Sequence, residues 1–160
     1  MKVGIFALGL HPRPIELLLE KRKFDICHLI ASKDGLGYVA KEHGYSIPNS
    51  QVVKKAAAKG RSKLKIYECD PFDPESISDA LGQILEQLKM NDEVTINYSS
   101  GTQVMSLILG SVAIVLSRIM PVKIIYSTKA VSGKEEILDH TEALKDFFSR
   151  LQEIVPAISI

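Results

Sequence analysis

The sequence predicts an α/β fold, a three-layer sandwich with a mostly parallel central sheet of about five or six strands. Three observations carry this expectation. Short runs rich in Val and Ile alternate with amphipathic stretches of helical spacing. The strand-like runs are apolar almost throughout, as strands covered on both faces are. The chain has 160 residues, 46% hydrophobic and 24% charged, which suits one domain with a real core. Disordered and collagen-like chains are excluded by the same composition.

Taken in order, Val3–Leu8 reads as the first strand, stopped by the glycine and prolines of 9–14. Ile15, Leu18 and Leu19 then fall on one face of a short helix. Asp25–Ala31 is the second strand, closed by Ser32-Lys33-Asp34-Gly35. Leu36–Glu42 and Gln51–Lys59 look helical, with Ile47-Pro48-Asn49 breaking them apart. Leu64–Cys69 is the third strand. Asp73-Pro74 supplies an N-cap with proline in the first helical position. Ile77, Ala80, Leu81, Ile84, Leu85 and Leu88 form the stripe of the helix that follows. Glu93–Tyr98 is the fourth strand, and an almost wholly apolar helix runs from its turn to Ser117. Val122–Ser127 is the fifth strand, and Glu136–Asp139 is a candidate sixth. Leu144, Phe147, Phe148, Leu151, Ile154 and Val155 mark a last helix. No repeat or linker interrupts the series, so residues 1–160 read as one Rossmann-like domain.

The formal charge is only +1, which argues against a partner held by bulk positive field, such as long nucleic acid. Residues 1–65 nevertheless carry +8 and residues 66–160 carry −7. Six cations between Lys54 and Lys65, with no acid among them, form either a solvated face or a basic rim for an anion. Cys27 and Cys69 lie in or beside strand-like runs and read as free thiols. The N-terminus enters a strand without a signal-peptide pattern. The apolar stretch from Val104 to Leu116 is too short to span a bilayer. A cytoplasmic protein with no membrane partner is the expectation.

Ligands of such sheets bind beyond the carboxyl ends of the strands. That places candidate contacts in the loops Gly9–Arg13, Ser32–Gly35, Ser99–Gln103 and Ser127–Lys129. Asn97-Tyr98-Ser99-Ser100-Gly101-Thr102-Gln103 is the sharpest of these segments. Free N–H groups, a helix dipole and a glycine meet there, which makes an anion site. A plain N-cap on a buried helix explains the same hydroxyls equally well. Gly35-Leu36-Gly37-Tyr38-Val39-Ala40 matches G-x-G-x-x-A, yet lysines stand where a dinucleotide site wants an acid. Glycines in a tight turn are the simpler reading. No P-loop or G-x-S-x-G motif is present. His11, His28, His43 and His140 show no metal spacing, so no metal or other cofactor is expected. His28 reads as a core histidine, whereas His11 lies on the binding edge.

The run from Glu93 to Ser106 resembles the signature of CRISPR-associated Rossmann-fold (CARF) domains. The matching elements are Asn97-Tyr98, Ser100-Gly101-Thr102-Gln103 and Met105. Gly9, Pro12 and the strand ending at Ser32 are compatible with the family's opening. The resemblance implies a homodimer whose paired strand ends bind cyclic oligoadenylate, the second messenger of type III CRISPR defence. Most family members carry an effector, and some stand alone as ring nucleases that cleave the messenger. With the predicted elements filling the 160 residues, the stand-alone kind is the expectation. Its chemistry needs no metal: a ribose 2′-OH attacks the adjacent phosphorus and leaves a 2′,3′-cyclic phosphate. On this reading His11 and Lys129 are catalytic, and Arg13 and Lys33 are reserve cations. Ser99, Ser100, Gly101, Thr102 and Gln103 bind phosphate and ribose, with Gly9, Ser32 and Ser127 beside them. Gln103 stands where the family often has lysine, so charge neutralisation must come from elsewhere. Two alternatives stay open: a sensor that binds the ring without cutting it, and an unrelated Rossmann-like nucleotide binder.

Overall fold

A computed structural model describes residues 1–129 and 134–154, the side chains of Lys129 and Ile154 excepted. Its strands are β1 (Lys2–Leu8), β2 (Ile26–Ala31), β3 (Lys63–Glu68), β4 (Glu93–Asn97), β5 (Val122–Lys129) and β6 (Glu135–Asp139). The helices are α1 (Arg13–Lys21), α2 (Lys33–Gly37), α3 (Asn49–Lys59), α4 (Pro74–Leu85), α5 (Gln103–Leu116) and α6 (Thr141–Ile154). The strands form a single sheet in the order β3-β2-β1-β4-β5-β6. All pairs are parallel except β5 with β6. This is the Rossmann-like α/β architecture the alternating pattern predicts.

Alternation along the strands divides the core in two. Val3, Ile5 and Ala7 of β1, with Val94 and Ile96 of β4, pack against α4 and α5. Phe6 and Leu8 of β1, with Cys27 and Leu29 of β2, pack against α1 and α3. Asp73 caps α4 as expected, its carboxylate accepting the Glu75 N–H at 3.0 Å. His28 is buried on β2 and meets the Tyr67 hydroxyl at 2.9 Å.

Three expectations need correction. The helix expected over Leu36–Glu42 instead begins at Lys33 and stops at Gly37, with a 3₁₀ turn at Lys41–His43. Ser32 starts it early by accepting the Gly35 N–H at 2.9 Å, and extended backbone at Tyr38 ends it. Ser127 to Lys129 belong to β5 and do not form a loop, because antiparallel β6 extends the ladder there. Cys69 lies just past β3, with its thiol free.

Strand order reverses between β1 and β4, so the crevice for a ligand opens between their carboxyl ends. Leu8 and Asn97 end these strands, and the loops after them form the candidate site.

Candidate functional site

The two loops touch through glycine. A Cβ on Gly9 would lie 3.1 Å from the Gly101 Cα, tighter than ordinary van der Waals contact. Gly101 has φ +103°, a region that L side chains rarely adopt. Its own Cβ would meet the Ala7 Cβ at 2.9 Å and the Met105 sulfur at 3.1 Å. The turn is thereby pressed onto the sheet top, and α5 leaves it immediately.

The hydroxyls of this turn have distinct uses. Thr102 caps α5, accepting the Met105 N–H at 3.2 Å and donating to the Pro71 carbonyl at 2.5 Å. That hydroxyl is spent on structure, so the N-cap reading holds for Thr102. Ser99 donates to the Asn97 side-chain oxygen at 2.5 Å and accepts the Ser127 N–H at 3.0 Å. Fully buried Asn97 closes the circuit by donating to the Ser127 hydroxyl at 3.2 Å. Ser99 and Ser127 therefore lock β4 to β5. Ser100 differs. It is buried, and its hydroxyl has no hydrogen-bond partner among the described residues.

Backbone N–H groups of residues 100–104 also lack partners among the described residues. Together with the α5 dipole they present positive potential. An orphaned hydroxyl at such a helix start is what a phosphate or ribose contact requires. Gln103 is exposed beside it.

The β1–α1 loop is arranged otherwise than expected. Arg13 forks onto Glu135 at 2.7 and 2.6 Å and also reaches Glu16 and Glu20 at 2.9 and 3.2 Å. Its hydrogen bonds to carboxylates push its pKa further up. Three carboxylates hold this guanidinium, so Arg13 braces α1 to β6 instead of serving as a free cation. His11 stacks on His43, ring centroids 3.9 Å apart and planes 3° from parallel. Burial, then the His43 charge, lowers the His11 pKa. It faces a cavity of about 750 Å³ whose lining includes Glu16, Glu42 and Glu135. A proton carrier there meets acids, with Arg13 already engaged.

Ser32 spends its hydroxyl on the α2 cap, while Lys33 is exposed and has no ion-pair partner among the described residues. The Lys129 side chain, expected as the catalytic cation, lies outside the described residues. The six cations of Lys54–Lys65 are all exposed on α3, β3 and the turn between them. Among the described residues no cluster of three or more His, Cys, Asp or Glu is arranged to hold a metal ion. No helix among them is long and apolar enough to cross a membrane.

Sequence reasoning missed Asn49. This fully buried residue opens α3 and donates to the carbonyls of Leu10 at 3.0 Å, Gly35 at 3.1 Å and Gly9 at 3.4 Å. Its one sequence signal was its place after Pro48, which reads as a break and not as a site.

No family model matches the sequence, and no curated protein does. Solved structures match by fold. Csm6 of Enterococcus italicus, bound to cyclic hexa-2′-fluoro-hexa-dAMP, superposes with TM-score 0.59 at 17% identity over 98% of this chain. Can2 of Sulfobacillus thermosulfidooxidans, in complex with cyclic tetra-adenylate, gives 0.57 at 16% identity over 85%. The fold is CARF-like. The chain covers 41% and 36% of those two proteins. Within this fold, the glycine seam and the orphaned Ser100 hydroxyl stand at the β1/β4 switch point.

Proposed function

We propose that residues 1–160 form one CARF domain that binds cyclic oligoadenylate in the cytoplasm, as a homodimer. The orphaned Ser100 hydroxyl at the start of α5, beside the Gly9–Gly101 seam, is the observation that carries this reading. The two similar folds were solved with cyclic adenylate or a cyclic dAMP analogue, which supports the same ligand class. Two free thiols suit a reducing compartment.

The homodimer is supported by α5. Leu107 is 72% exposed and Val115 46%, two turns apart on a mostly apolar helix, with exposed Ser111 between them. Phe72, 72% exposed, follows the Pro71 carbonyl that Thr102 holds. A second copy covering this face would set two β4–α5 turns side by side about a twofold axis. A ring of repeated nucleotides suits such a symmetric cleft.

Ring cleavage is the finer reading. The 2′-oxygen would bond to phosphorus as the 5′-oxygen leaves, its proton passing to a base and another reaching the 5′-oxygen. His11 and Lys129 remain the proposed base and cation, with Lys33 in reserve. A non-cleaving sensor is the second reading, and the engagement of Arg13 with three carboxylates favours it. Incubation with cyclic tetra- and hexa-adenylate in EDTA, followed by product separation and calorimetry, tests both. Linear products ending in 2′,3′-cyclic phosphate support cleavage. Tight binding of an intact ring supports the sensor, and no binding of either ring overturns the ligand assignment.

A further inference from the structure

We infer that Asn49 is a positioning residue of the ligand site, holding the β1–α1 loop at the height where Gly9 meets Gly101. The inference rests on the cyclic oligoadenylate reading above. Its basis is the way one buried amide joins separate segments. Asn49 Nδ2 donates to Gly9 and Leu10 in the β1–α1 loop and to Gly35 in α2, while its backbone N–H donates to Tyr38. The Gly9 and Leu10 carbonyls have no other hydrogen-bond donor among the described residues. Without the amide, the peptide that presents Gly9 to the seam loses its anchor.

The orientation of the amide follows from its surroundings. Three carbonyl oxygens surround Nδ2, so the reversed amide would place oxygen against oxygen. The price is Oδ1, buried with no partner among the described residues. Leaving an acceptor orphaned costs stability, so holding these carbonyls is the use the geometry gives this side chain. Loop position matters because the Gly9 Cα faces the Gly101 backbone with no side chain between. A shift of a few tenths of an ångström in Gly9 opens or crowds the turn carrying Ser100.

The test measures affinity for cyclic tetra- and hexa-adenylate by calorimetry at pH 8 and pH 5.5. Wild type, Asn49→Asp, Asn49→Ser and Val53→Ala are compared, the last trimming a buried side chain of the same helix. A carboxyl beneath three carbonyls titrates above its ordinary range, and its neutral form regains one donor. Asn49→Asp should therefore bind at least about tenfold more weakly than wild type at pH 8, with the deficit shrinking several-fold at pH 5.5. A deficit below twofold, or one unchanged by pH, overturns the inference. If Asn49→Asp does not fold, Asn49→Ser decides. A larger affinity loss than Val53→Ala shows per degree of lost melting temperature supports positioning, and an equal loss overturns it. Wild type binding neither ring instead overturns the ligand reading itself.

Discussion

Gly9 and Gly101, on loops 92 positions apart in the chain, approach so closely that a Cβ on the first would lie 3.1 Å from the Cα of the second. The contact joins the carboxyl ends of β1 and β4 where the strand order reverses. Gly101→Ala must adopt φ +103° and force its Cβ to 2.9 Å from Ala7. It should lose roughly 2–4 kcal/mol in urea denaturation, left-handed strain and overpacking together. Gly9→Ala meets only the 3.1–3.3 Å backbone contacts and should lose about 1 kcal/mol. Its ligand affinity should fall more than its stability does, since the seam is wedged open. Equal stability for both variants would contradict this packing.

Ser100→Ala separates binding from folding. The hydroxyl is buried without a partner, so its removal should leave stability unchanged or raise it by about 1 kcal/mol. Affinity for cyclic oligoadenylate should fall about tenfold, the loss of one hydrogen bond to a charged group. Thermal melting and calorimetry on the same preparation test the two expectations. A destabilised variant with wild-type affinity would assign the hydroxyl to structure.

Stability should depend on pH through His28. Burial, with Lys65 adding to it, pulls its pKa down from 6.5 to about 4. As pH falls below the unfolded value, the unfolded chain takes up a proton that the folded chain refuses. Stability from this group is complete above about pH 6.5 and lost as pH falls toward 4, by roughly 2–4 kcal/mol. His28→Gln keeps a partner for the Tyr67 hydroxyl but cannot titrate. Urea denaturation from pH 7 to 4 should give a flatter profile for the variant, and parallel profiles would refute this.

The α5 surface predicts the assembly. Leu107→Glu places a charge on a residue 72% exposed, so a monomer should tolerate it within about 0.5 kcal/mol. A dimer built on this face should dissociate, seen as a halved mass in light scattering. Unchanged mass with a dimeric wild type would move the interface elsewhere.

Much of this molecule was legible in the sequence for a physical reason. Strand and helix periodicity, the Asp73-Pro74 cap and the glycine of the β4–α5 turn are local signals, and apart from the helix expected over Leu36–Glu42 they mark the elements the structure contains. The chemistry of individual side chains was not legible, because it depends on partners far along the chain. Arg13 looked like a free cation until Glu135, 122 positions away, was found gripping it. Ser99, Ser100 and Thr102 are alike as sequence, yet one locks strands, one is orphaned and one caps a helix. Asn49 reads as part of a break, yet two carbonyls of the β1–α1 loop and one of α2 converge on its amide. Sequence by itself determined the order of elements and which sheet edge carries the candidate loops, since both follow from local pattern and strand direction. Only the tertiary structure decided which polar groups there are already satisfied, because hydrogen bonding is settled between segments that the chain keeps far apart.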